Sequence, residues 1–433
     1  MRTTSTTRRR ALAALGLATT AALALSACSV TGAGSSSGGE GDGTGTINAL
    51  FMKQAGYSES DINTMIKDFE AKNPKITVKP TFVAYEALHD KIVTSAPAGT
   101  YDVVLSDVIW PAEFASKGII TDVTSKFPAS WKQDMLGGAL SSAEYKGKYY
   151  GVPWGPSTKL FFYNKDMLAK VGAGPDDVKT WDGVLAVAKK LKDAGVVQYP
   201  LAWSWAQAEA LICDYAVMLG AYGGQFTDSR GKLDINKGAG VQALEFMKKS
   251  IDDGLTDPAS TTFLEDDTDK SMAAGKTAME LNWESTFRDQ NDPSISKVVG
   301  QVAVTEPPAG PSGDNPGVNG SMALSIGAKS KHQAAAWKLI EYLTSESTQD
   351  KYTKSSMTNW KASYTKPEIT KSNPEVFAAA GKAYDSMILR PPVPDYNTVS
   401  QALQVEIQNA LLGKKSPQQA LDDAVKAANE SQG

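Results

Sequence analysis

From Thr46 onward the chain alternates short apolar runs with longer stretches of helical spacing, and that alternation restricts the fold more than any other feature. Residues 46–52 read as a strand. Ile62, Met65, Ile66 and Phe69 recur at i, i+3, i+4 and i+7 and predict a helix beginning near Ser60. Residues 75–83 read as a strand, 85–95 as a helix and 101–105 as a buried strand. Strands separated by helices predict an α/β fold with a mostly parallel sheet covered on both faces. Ligands on such sheets sit beyond the carboxyl ends of the strands.

The pattern continues with Lys146-Gly147-Lys148 as a hairpin turn, a strand over 159–163, and a helix from the cap Thr180 to residue 194. A strand over 200–203, a helix over 207–219 and a helix from the cap Asn236 to Gly254 follow. Strands return at 277–281, 298–304 and 322–326, then helices at 333–343 and 396–412. A last helix starts at Ser416-Pro417-Gln418-Gln419, which joins a cap, a proline at the first helical position and a reciprocal glutamine. Strands that reappear after a long helical stretch predict that the chain crosses back into its first lobe.

The N-terminus gives an address. Arg8, Arg9 and Arg10 precede a fifteen-residue apolar run (11–25), too short for a membrane span, and small residues then lead to Cys28. Leu25-Ser26-Ala27-Cys28 resembles a bacterial lipobox, which implies a lipoprotein signal peptide over 1–27, cleavage before Cys28 and diacylglycerol on its sulfur. An ordinary signal peptide is the alternative, and general secretory and twin-arginine export both stay open. Residues 28–45, mostly Gly, Ser and Thr, cannot bury apolar surface and read as a flexible tether. Loss of the first 27 residues removes four arginines and no acid, leaving 40 basic against 48 acidic residues and a net charge of −8. That sign argues against nucleic acid or an anionic membrane surface as partner, so membrane contact is expected through the lipid alone. About 390 residues remain, room for two domains. With Cys28 lipidated, Cys213 is alone, and its apolar setting in 211–217 reads as a buried structural thiol.

Several segments in order then resemble one family. Phe69-Glu70-Ala71-Lys72-Asn73-Pro74 with Ile76-Thr77-Val78, Tyr101-Asp102-Val103-Val104, and Gly151-Val152-Pro153-Trp154 through Leu160-Phe161-Phe162-Tyr163-Asn164-Lys165-Asp166 are three of them. Lys179-Thr180-Trp181-Asp182, Ala274-Gly275-Lys276-Thr277-Ala278-Met279 and the stretch 320–326 are the others. Together they resemble the family 1 extracellular solute-binding proteins of carbohydrate importers, over nearly all the mature chain. The resemblance implies a two-lobe fold of the periplasmic-binding-protein kind, type II, with three hinge crossings and a sugar in the cleft. By analogy the crossings fall at 156–160, 279–283 and 317–321. The N-lobe would be 46–156 and 284–318, and the C-lobe 157–283 and 319–433.

A sugar presents hydroxyls around an apolar ring face, so its site needs aromatic platforms and acids or amides to take hydroxyl hydrogens. Trp154 and Trp283 stand at implied crossings, and Trp360 matches a family aromatic. Trp203 and Trp205 form a Trp-Ser-Trp pair of which one is expected to face ligand and the other to pack. Trp337, Trp181 and Trp131 read as core or helix-entry residues. Asp107 follows the third strand and suits ligand contact or a helix cap equally. Tyr85, Ser157, Gly320 and Arg390 match family positions, the glycine allowing close backbone approach. Gln54, Trp110, Glu209, Tyr222, Glu284 and Asn319 are weaker candidates, Asn319 standing where the family often has a second glycine.

The expected function is a lipid-anchored receptor that captures a sugar, an oligosaccharide in particular, and passes it to the permease subunits of an ABC importer. A monomer without cofactor, metal or catalytic residue is expected. Polyamines or glycerol phosphodiesters are the alternative ligands. A secreted glycoside hydrolase is the alternative class, since two facing carboxylates leave no sequence pattern. A serine hydrolase elbow needs Gly-x-Ser-x-Gly between a strand and a helix, and the one match, Gly34-Ser35-Ser36-Ser37-Gly38, falls in the Gly/Ser-rich tether. Residues 265–269 lack the spacing and glycine of a calcium loop and read as a solvated helix start.

Overall fold

A computed structural model describes residues 41–53 and 56–431. The expected signal peptide, Cys28, most of the expected tether and Gln54 lie outside the described residues. Eleven strands are described: β1 (Gly45–Met52), β2 (Ile76–Val83), β3 (Val103–Asp107), β4 (Glu144–Tyr145), β5 (Lys148–Tyr149), β6 (Val152–Pro153), β7 (Lys159–Asn164), β8 (Leu201–Ala202), β9 (Met279–Trp283), β10 (Val302–Thr305) and β11 (Met322–Ile326). They form a five-stranded sheet in the order β2-β1-β3-β11-β6, a four-stranded sheet in the order β10-β7-β9-β8, and the β4-β5 hairpin. In the first sheet only β11 runs against the other strands, and in the second only β7 does. Both sheets are therefore mixed rather than mostly parallel, because the one reversed strand of each is internal and makes three of the seven pairings parallel and four antiparallel.

Local chemistry explains the elements. The helix Glu59–Lys72 begins at Ser58, whose hydroxyl accepts from Asp61 N at 3.1 Å while the Asp61 carboxylate takes Ser58 N at 3.0 Å. Its apolar face, Ile62, Met65, Ile66 and Phe69, is buried against the first sheet. Thr180 caps Trp181–Asp193 as expected, accepting from Gly183 N at 3.1 Å. Asn236 does not cap the helix Ala239–Asp252. Its amide donates to Asp422 at 2.7 Å, and Gly238, at φ 49°, opens that helix instead. The β4-β5 turn needs positive φ at two residues, and Lys146 (50°) and Gly147 (74°) supply it.

Each sheet has its own core. Ile47, Leu50, Val104, Leu105, Leu324 and Ile340 belong to the first; Phe161, Leu201, Leu211, Leu281 and Leu403 belong to the second. A smaller cluster, with Leu160, Phe162, Val302, Val304 and Phe377, covers the other face of the second sheet.

The chain's division between these bodies differs from the expected one. Strand β9 is no crossing: it lies between β7 and β8 inside the second sheet. Residues 284–318 do not return to the first lobe, because β10 pairs antiparallel with β7 and buries Val302 and Val304 beside Leu160 and Phe162. The return comes after 317–321. Strand β11, with Ala323, Leu324 and Ile326 buried, then inserts between β3 and β6. The helix Gln333–Thr344 follows into the first core, while Pro374–Ala383, Tyr396–Leu411 and Pro417–Ser431 pack on the second sheet's side. The crossings at 154–158 and 317–321 lie side by side, with Trp154 N donating to Met322 O, Met322 N to Gly155 O and Gly320 N to Ser157 O at 2.7–3.0 Å. A third segment joins them at Ile388, whose N donates to Gly317 O at 2.8 Å and whose carbonyl accepts from Asn319 N at 3.0 Å.

Candidate ligand site between the two sheets

Two ion clusters flank this ribbon. Arg390, immediately past Ile388, sends Nη2 to Asp107 Oδ1 at 3.2 Å and to the Asn319 carbonyl at 3.0 Å, and Nη1 to Glu209 Oε1 at 2.8 Å. Asp107 ends β3 in the first sheet, and Glu209 opens the helix Glu209–Ala221 in the second core, so one guanidinium ties both bodies together. Tyr85 OH donates to the other Asp107 oxygen at 3.0 Å, and Tyr396 and Ser400 hydroxyls donate to Glu209. Burial pushes the Asp107 carboxyl above the ordinary carboxylate range, against the pull of Arg390.

The second cluster begins at Lys159, the first residue of β7, whose side chain is wholly buried. Its ammonium meets Asp214 Oδ1 at 2.5 Å and lies 3.8 Å from Glu265 Oε1 and 5.3 Å from the centre of the Trp283 ring. Burial raises the Asp214 carboxyl to about 6, with Lys159 opposing. Trp283 ends β9, is half-buried, and donates its indole N–H to Glu265 Oε1 at 3.2 Å. The ring lies so close to the crossing that a Cβ on Gly320 would stand 2.4 Å from it. Beside it, Glu284 accepts from Ser157 Oγ and Thr158 N, both at 3.0 Å, and burial lifts its carboxyl to about 7.

The groups at the seam thus come from the carboxyl ends of β3 and β9, the start of β7 and the crossings, where two-lobed α/β proteins hold small molecules. Residues 45–350 match the family of bacterial extracellular solute-binding proteins. The chain belongs to that family. A solute-binding protein of this kind acts on the outer side of the cytoplasmic membrane. Among solved structures, the maltose-bound MalE3 of T. maritima superimposes with a TM-score of 0.82 at 28% identity, covering 89% of this chain and 99% of that one. A Thermotoga lettingae ABC transporter solute-binding protein with bound α-D-tagatose gives 0.79 at 27% identity, covering 90% and 100%. A putative binding protein of Brucella abortus is 26% identical over 367 residues, 84% of this chain and 87% of its own.

In this solute-binding protein Tyr85, Asp107, Glu209 and Arg390 are brought together, as are Ser157, Trp283, Glu284 and Gly320. Trp110, Trp154 and Trp205 are almost fully buried, just past the ends of β3, β6 and β8, and their indole N–H groups have no acceptor among the described residues. Trp110 stacks on Tyr85 (5.7 Å between centres) and Trp154 on Tyr57 (4.8 Å). Trp203 and Trp205 stack at 5.5 Å, but Trp203 has used its N–H on Thr256. Both rings pack in the second core, so burial does not separate the two members of that pair.

Three candidates leave the site. Trp360 lies in the first core, its N–H bonded to Thr344 O at 2.9 Å and its ring edge-on to Trp131. Tyr222 follows the far end of the helix that Glu209 begins, roughly 20 Å away at 1.5 Å per residue. The Asn319 side chain is consumed by Gly138 O, Ser141 Oγ and Ser321 N. Sequence reasoning missed Lys159, Asp214 and Glu265. A lysine opening the run Leu160–Tyr163 and an aspartate within an apolar helix signal a buried pair, because neither enters a core alone. The stretch 265–269 is not the solvated start expected: Asp269 is 9% exposed, and Glu265 turns toward Trp283.

Proposed function

We propose that this protein captures a neutral sugar, an oligosaccharide in particular, by closing its two lobes over it, and delivers it to the permease subunits of an ABC importer. The observation that carries this reading is the half-buried Trp283 ring, seated on Gly320 of the crossing and flanked by carboxylates, beside the crossings that link the two sheets. A ring face beside hydrogen-bond acceptors suits a sugar. The bound maltose and tagatose of the two related structures agree with that class. Closure is supported by bonds that span the seam, Arg390 to Asp107 and Glu209 and Arg288 Nη1 to Gly56 O at 3.3 Å, since contacts made in only one arrangement favour it. The lobes of this reading are 46–153 with 322–344, and 159–316 with 374–431. The protein acts as a monomer, tethered by lipid on Cys28 and the 28–45 linker. The sequence Leu25-Ser26-Ala27-Cys28 supports that anchor.

Calorimetric titration with maltose, D-tagatose, arabinooligosaccharides, spermidine and a glycerol phosphodiester tests this. A neutral sugar is expected to bind with an affinity insensitive to salt and to be recovered intact. Binding of spermidine alone, weakened by salt, or shortening of the oligosaccharide, contradicts it. Cys28→Ala is expected to release the protein into the medium.

A further inference from the structure

The seam acids differ in how much hydrogen-bonding capacity they retain. Asp107 uses one oxygen on Arg390 and Ile109 N and the other on Tyr85. Glu209 uses one on Arg390 and Tyr396 and the other on Ser400. Asp214 divides its oxygens between Lys159 and Ser204 N. Glu284 takes Ser157 Oγ and Thr158 N on one oxygen, Oε2, and is 5% exposed. Glu265 joins spare capacity to exposure: Oε1 takes the Trp283 indole N–H and faces Lys159, while Oε2 has no donor among the described residues, and the side chain is 25% exposed. Two fixed groups orient this carboxylate, which sits at the indole edge of the half-buried Trp283 ring.

We infer that Glu265 is a specificity-determining residue, its free oxygen accepting a ring hydroxyl of a neutral sugar whose apolar face lies on Trp283, with Lys159 as the positioning residue behind it. This rests on the sugar-binding reading above. The same arrangement selects against anions. Lys159 against Asp214 and Glu265, and Arg390 against Asp107 and Glu209, each leave one negative charge in excess, so a phosphate meets repulsion and a carboxylate that offers it no hydrogen.

The test is calorimetric titration of the full mature chain and of Glu265→Gln with maltose, D-tagatose and arabinooligosaccharides, with monodeoxy analogues of whichever of these binds wild type most tightly. A hydrogen bond to a charged acceptor predicts a roughly ten- to hundredfold weakening in Glu265→Gln, with an unchanged melting temperature. One deoxy analogue, lacking the bonded hydroxyl, is expected to cost wild type a similar factor and Glu265→Gln almost nothing further. Asp266→Asn, an exposed neighbour on the same helix, is the control for a distant charge effect and is expected to bind like wild type. Sugar binding by wild type that Glu265→Gln keeps in full, or equal penalties for every deoxy analogue in both proteins, overturns the inference and leaves the proposed function standing. A wild-type protein that binds none of the three sugars removes both.

Discussion

The cluster around Arg390 and the cluster around Lys159 are built from the same parts, one cation and two carboxylates, yet they differ in what is left over. Around Arg390 both acids are saturated by hydroxyls, an amide and the guanidinium, and the pairings run from β3 to the helix Glu209–Ala221. Around Lys159 one acid is saturated and the other keeps an oxygen and a quarter of its surface. Saturation suits a residue that holds the bodies together, and spare capacity beside an aromatic face suits one that meets a ligand. Being charged and near the cleft does not separate these roles. Counting the remaining donors and acceptors does.

The comparison breaks most readily at Arg390. Arg390→Ala leaves Asp107 and Glu209 buried without their shared cation, and a loss of about 3–5 kcal/mol in urea unfolding is expected. A loss below about 1 kcal/mol means the cluster does not hold the bodies together. Next comes pH. Burial holds Glu284 and Asp269 at about 7 in the folded chain, above their unfolded values near 4, so the folded state binds more protons between those limits. Stability is then greatest on the acid side of that window and declines as pH rises from about 4 to about 7, by up to roughly 4 kcal/mol per group. Glu284→Gln is expected to flatten its share of the slope. Gly320→Ala places a methyl against the Trp283 ring and is expected to cost roughly 1–3 kcal/mol and to weaken sugar binding, measured by unfolding and calorimetry together. Tyr85→Phe removes one donor from Asp107 and is expected to cost about 1 kcal/mol. Glu265→Gln lies at the bottom of this scale, within about 0.5 kcal/mol of wild type in stability, although its effect on sugar affinity is large.

Much of the fold was legible because periodicity reports burial directly. The helix with Ile62, Met65, Ile66 and Phe69 and the strand at 322–326 fall where their apolar spacing predicts. Which lobe a strand joins was not legible, since β10 and β11 are both short apolar runs and only partner geometry distinguishes β7 from β3 as neighbour. At the site, position after the third strand singled out Asp107, while Ser157, Trp283 and Gly320 came from the crossings that the family resemblance implies. Trp360 went astray because an indole signals either a platform or a core, and the acceptor at Thr344 that decides it lies sixteen residues away. Lys159, Asp214 and Glu265 are far apart in the chain, and their pairing exists only once β7, the helix Glu209–Ala221 and the helix Glu265–Ala273 meet.

In the proposed function, two bodies joined by a narrow ribbon close on a sugar held between them. Small-angle scattering of the mature chain, with and without a saturating amount of the panel sugar that binds most tightly in calorimetry, tests it most directly. A smaller radius of gyration in the presence of that sugar is the predicted result. An identical radius at proven saturation contradicts the account.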